Sequence, residues 1–104
     1  MNIFTDSNFE AEVLQSDKLT IVDFWAPWCG PCIALGKTME AIATDYDGRV
    51  KVGKINADEN PDVSVNYGVT GLPCVLFVKN GLVVHRQPGM AARNVYEKTI
   101  QQHL

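Results

Sequence analysis

Two strand-like segments, Thr20–Ala26 and Val50–Asn56, bracket a stretch whose apolar residues recur at helical spacing. Nothing else in the chain constrains its fold as strongly. Thr20–Ala26 is almost continuously apolar, interrupted by one acid, and its Ile, Val, Phe and Trp content marks a buried strand. Leu35, Met39, Ile42 and Tyr46 form a single stripe on the intervening helix, and Gly48 stops it. A strand, a helical crossover and a second strand make a βαβ unit, so the two strands run parallel.

The flanking sequence extends this unit. Ser7-Asn8-Phe9-Glu10 reads as a capping box opening a helix to about Gln15, with Phe9 and Val13 on one face. Asn60 and Pro61 read as the cap and first residue of a short helix closed by Gly68. Cys74–Lys79 is a strand, Asn80-Gly81 a two-residue hairpin turn, and Leu82–Gln87 the antiparallel return. A last helix spans about Ala91–His103, with Ala92, Val95, Tyr96, Thr99 and Ile100 inward. Ile3 and Phe4 add a short first strand. The predicted order is βαβαβαββα: an α/β fold with a mixed five-stranded sheet and four helices, in one domain spanning residues 1–104.

Composition excludes several function classes. The 104 residues are 46% hydrophobic and 20% charged, a globular balance. Nine Lys+Arg against twelve Asp+Glu give a net charge of −3, the wrong sign for a nucleic-acid footprint. No apolar run approaches the ~20 residues of a membrane span. Met1–Asp6 has neither the basic nor the apolar part of a signal peptide, so a cytoplasmic location is expected. Three cysteines are too few, and odd in number, for a secreted disulfide framework. In that compartment a close cysteine pair points to redox or metal chemistry.

The pair is Cys29 and Cys32, at the start of the second helix. Positions i and i+3 share a helix face, so the sulfurs can bond with little backbone movement. Pro31 suits a first helical turn, where its missing N–H is no loss. Unpaired N–H groups and the positive end of the helix dipole converge on Cys29 and favour its thiolate, the nucleophilic form. Cys32 lies a turn deeper. A zinc site needs four ligands, and the remaining candidates, Cys74, His85 and His103, have no matching spacing. No metal is expected. Asp23, inside Ile21–Trp25, is a buried acid needing a partner, and strand alternation allows Lys54 of the next strand on the same face.

The segment Trp25-Ala26-Pro27-Trp28-Cys29-Gly30-Pro31-Cys32 resembles the active-site segment of the thioredoxin family. The similarity runs through the chain, taking in Asp23, Lys54, Gly71-Leu72-Pro73, Asn80-Gly81 and Gly89. It implies a thioredoxin fold and dithiol–disulfide oxidoreduction on protein substrates. Cys29 would attack a target disulfide and Cys32 would resolve the adduct. Asp23 would exchange a proton with Cys32, its pKa raised by desolvation. The resemblance further implies a cis Leu72–Pro73 bond beside the cysteines, blocking metal capture and freeing the Leu72 backbone to pair with a substrate strand. Trp28, Gly30, Pro31, Ile33, Leu72, Gly89 and Met90 would form a small apolar dock, while Trp25 packs in the core. Gly30-Pro31 resembles the dipeptide of reducing members rather than of disulfide-forming relatives. A thioredoxin reductase would recharge a monomer that carries no cofactor.

Four positions depart from the family's usual pattern: Ile33 for a cation, Lys37 for a helix-kinking proline, Cys74 for threonine, and Pro88 for a residue with an N–H. None removes a catalytic group. The competing readings are a binding module without turnover, which would not need both cysteines, Asp23 and Pro73, and an exported isomerase or oxidase.

Overall fold

The structure, a computed structural model, describes residues 1–104. Its strands are β1 (Asn2–Phe4), β2 (Leu19–Trp25), β3 (Val50–Asn56), β4 (Cys74–Lys79) and β5 (Leu82–Pro88). They form one mixed sheet in the order β1-β3-β2-β4-β5. β1 and β2 run parallel to β3, whereas β4 is antiparallel to β2 and β5 to β4. Helices α1 (Gly30–Asp45), α2 (Pro61–Asn66) and α3 (Arg93–His103) are preceded by a π-helical segment, Glu10–Leu14, between β1 and β2. The five strands and four helices are those expected.

β2 is central because its residues are apolar on both faces. Leu19 and Ile21 pack with Val52, Val75 and Phe77 beneath the α1 stripe and beneath Tyr96 and Ile100 of α3. Val22 and Phe24 point the other way, into a layer with Phe9, Val13, Ile55, Val63 and Leu76. Leu35, Met39 and Ile42 are fully buried, which contributes roughly 1.5–3 kcal/mol for each side chain. α1 is helical throughout, including Gly36 and Lys37.

β1 is held tightly against β3. The Phe4 ring occupies the space that a Cβ at Gly53 would need. The hairpin turn has positive φ at both central residues, 52° at Asn80 and 79° at Gly81, as the Asn-Gly pair predicts.

Three local expectations are corrected. The first helical segment is not opened by Ser7 and Glu10. Thr5 and Asn8 form the reciprocal cap instead: the Thr5 N–H donates to Asn8 Oδ1 at 2.7 Å and the Asn8 N–H to Thr5 Oγ1 at 3.1 Å. The Gln15 N–H then reaches back five residues to the Glu10 carbonyl, which makes the segment π-helical. α2 begins at Pro61 as expected, but the Asn60 side chain does not cap it. Asp6 does so from a distant part of the chain, accepting from the N–H groups of Asp62 and Val63, while the Asp6 N–H donates to Asn60 Oδ1. α3 begins at Arg93, two residues later than expected, and Ala92 and Val95 are exposed. The inward stripe is Tyr96, Thr99 and Ile100, and Val95 lies one helical step outside it.

Candidate active site

The C-terminal ends of β2 and β3 define one end of the sheet, and the chain leaves β2 there through Ala26–Trp28 to enter α1. Cys29 is the N-cap of α1, with extended backbone (φ −95°, ψ 104°). Its sulfur accepts the Cys32 N–H at 3.3 Å, satisfying a donor that no helical carbonyl can reach. Pro31 falls within the first turn, where it breaks no helical hydrogen bond. Cys29 and Cys32 are joined as a disulfide with Cα atoms 5.2 Å apart, so the structure is that of the oxidised protein. Cys29 is 6% exposed and Cys32 2%; the order is as expected, but both are buried and only an edge of Cys29 reaches solvent. Ala26 packs directly with the pair, and Trp25 and Leu72 lie against it.

Asp23 is buried on the α1 side of the sheet, 1% exposed. Burial pushes its carboxyl from 3.8 up to about 7, and the Lys54 charge only partly opposes this. Register places Asp23 beside Lys54 on β3 and beside Val75 on β4. The expected contact ion pair is nevertheless absent. The Lys54 ammonium lies over the Trp25 ring, 4.7 Å from its centroid, and Asp23 Oδ1 has no hydrogen-bond partner. Geometry explains the difference: a long lysine reaches the aromatic face at the rim and keeps its charge near water.

Around the pair the remaining candidate residues fall into two groups. Leu72 and Pro73 come from the loop before β4 and are joined by a cis peptide bond. Pro73 is buried, and its carbonyl accepts the Gly89 N–H at 2.8 Å, which ties the end of β5 to this loop. A cleft of about 410 Å³ follows the loop and includes Pro73, Cys74, Arg86 and Gly89 in its lining. Gly30, Pro31, Ile33 and Met90 are exposed, and Trp28 is 71% exposed. The larger concavity, about 800 Å³, lies at the opposite end of the sheet among Met1, Lys18, Glu40 and Asp47 and contributes nothing to this site.

Asp58 is a residue that the sequence does not reveal. Its carboxylate accepts the Trp28 indole N–H at 2.7 Å and fixes the exposed ring beside Cys29. The contact crosses 30 positions in sequence, and no spacing rule marks it. Cys74 is buried on the face shared with Leu76, as alternation predicts. Burial raises its thiol pKa, with Arg86 opposing, which disfavours the thiolate form. No cluster of three or more His, Cys, Asp or Glu side chains converges to hold a metal.

A close dithiol at a helix N-terminus, over a buried acid and beside a cis-proline loop, can be compared with known proteins. The sequence pattern described as thioredoxin matches residues 1–102. The chain is 45% identical over 100 residues to a thioredoxin of Chlorobaculum thiosulfatiphilum, covering 96% of this chain and 93% of that protein. It is equally identical to thioredoxin 2 of Chlorobaculum tepidum, covering 96% and 92%. Thioredoxin 1 of Nostoc sp. is 43% identical, covering 96% and 94%. Family members work with a thioredoxin reductase and with disulfide-bearing substrates. Both redox cysteines fall where that chemistry needs them, and the chain belongs to the thioredoxin family, as a protein thiol–disulfide oxidoreductase.

Proposed function

We propose that Cys29 is the attacking thiol, Cys32 the resolving thiol and Asp23 the group that holds the proton between them. The observation that carries this reading is the N-cap position of Cys29, whose sulfur accepts a first-turn N–H and has the greater exposure of the two. That N–H and the helix dipole favour negative charge on Cys29. In the reduced protein the Cys29 thiolate attacks one sulfur of a target disulfide. A mixed disulfide forms and the first target sulfur leaves as a thiolate. Cys32 passes its proton to the Asp23 carboxylate, and its thiolate attacks Cys29 Sγ. The Cys29–Cys32 disulfide forms, and the second target sulfur leaves and takes up a proton. Two electrons pass from the dithiol to the target, and a thioredoxin reductase restores them.

The substrates are extended protein segments bearing a disulfide, received against Trp28, Gly30, Pro31, Ile33, Leu72, Gly89 and Met90. Pro73 shapes this dock and Lys54 tunes Asp23 from the rim. The protein works as a monomeric single domain in the cytoplasm, where a free Cys74 is compatible with reducing conditions. Insulin reduction in the presence of a thioredoxin reductase tests this reading. Wild type is expected to turn over and Cys29→Ser to be inactive. Failure of wild type to reduce insulin with either a reductase or a small dithiol would contradict it.

A further inference from the structure

Two buried side-chain polar atoms have no hydrogen-bond partner, Asp23 Oδ1 and the Tyr96 hydroxyl. Buried polar groups are nearly always paired, so each of these needs an explanation. They belong to one region. Asp23 shares its strand face with Leu19 and Ile21, and Tyr96 packs in that same layer with Ile21, Val75 and Phe77. Val75 is the residue that faces Asp23 across the β2–β4 register. The Tyr96 ring is 0% exposed and stacked on Phe77 with centroids 6.4 Å apart. Side chains on a helix lean toward its N-terminus, which aims the hydroxyl from α3 toward Ala91 and the end of the sheet that carries the cysteines. A phenylalanine would fill this space without burying a hydroxyl.

The electrostatics agree with the placement. Burial raises the Tyr96 phenol, the Ala91 amide opposes without reaching hydrogen-bond geometry, and the Asp23 and Cys74 charges add to the rise. The other groups facing Asp23 are accounted for. Lys54 on β3 lies over Trp25, and Cys32 on α1 is in the disulfide. His85 on β5 packs edge-on against Phe77 and contacts Gln87, and Cys74 faces the opposite layer. Tyr96 is the one uncharged hydroxyl donor in the layer without a partner.

We propose that Tyr96 is a positioning residue for the proton on Asp23, its O–H reaching the ionised carboxylate through one bridging water and favouring that form. The proposal rests on the reading of Asp23 as proton acceptor for Cys32. A donor to the charged form eases ionisation of an acid that burial resists. Tyr96 thereby lowers the pH at which Asp23 becomes ready to take the Cys32 proton.

The test is the titration of the Asp23 carboxyl carbon, followed by NMR in the reduced protein, beside the pH profile of mixed-disulfide resolution. Tyr96→Phe is expected to raise both midpoints by about half a pH unit or more. Tyr96→Leu is expected to do the same and serves if the phenylalanine variant folds poorly. A loss of packing alone would admit water beside Asp23 and lower the midpoints, the opposite direction. A change of less than about 0.2 pH units in the Asp23 titration would overturn the proposal. An Asp23 midpoint that rises while the resolution profile ignores both Tyr96→Phe and Asp23→Asn would instead overturn the Asp23 proton role, and Tyr96's place in the reaction with it.

Discussion

At the scale of single residues, Asp23 shows how a fold can hold a group at a cost to its own stability. Its carboxyl is pushed up to about 7 by burial, while the unfolded chain ionises near the ordinary carboxylate value. Between those two pH values the folded protein binds the extra proton, so stability falls as pH rises through the window. Asp23→Asn escapes this loss. The variant is expected to match wild type near pH 4 and to exceed it by roughly 3–4 kcal/mol at pH 8, read from urea unfolding at both pH values. An equal difference at the two pH values would show that ionisation of Asp23 is not what burial opposes. Ile33 is expected to act on partners rather than on the thiols. It is exposed beside Cys29, where a cation would interact through high dielectric and be screened by salt. Ile33→Lys is therefore expected to raise the rate with a thioredoxin reductase by more than the rate with a small disulfide, and the excess is expected to shrink at higher salt. Equal changes for both substrates would place the effect on the thiols.

At the scale of elements, much of the molecule was readable before its structure was known. β3 and β4 have the expected bounds, because periodicity and the Asn80-Gly81 turn act locally. The α1 stripe was legible for the same reason. Capping failed where the partner was remote: Asp6 caps α2 from 57 positions away, and nothing near Asn60 announces it. Asp6→Ala is expected to cost about 1 kcal/mol and to speed hydrogen exchange in α2 more than in α1. Uniform exchange across both helices would contradict the capping role. Gly53 presents the opposite case, a position where a small residue is required by a neighbour. Adding a methyl group there displaces the Phe4 ring. Gly53→Ala is expected to destabilise by about 1–3 kcal/mol, and a urea midpoint equal to wild type would mean that β1 moves freely to accommodate it.

At the scale of the whole molecule, the fold gathers the candidate groups at one end of the sheet. β2 delivers Asp23 and the turn into α1, α1 presents Cys29 at its cap, and the loop before β4 closes the site from the other side. The cysteine pair was legible because its residue type and spacing mark redox chemistry, and the burial of Asp23 because an acid inside an apolar strand stands out. The Lys54–Trp25 contact, the Asp58 tether and the Tyr96 hydroxyl were not, since each depends on side-chain reach across the assembled fold. The division of labour between the two sulfurs is the central claim, and trapping tests it most directly. Each single-serine variant is incubated with a disulfide-bearing protein, and covalent adducts are identified by mass spectrometry. Cys32→Ser is expected to accumulate a mixed disulfide through Cys29, and Cys29→Ser to form little or none. An adduct that accumulates through Cys32 in the Cys29→Ser variant, with none in Cys32→Ser, would contradict the account.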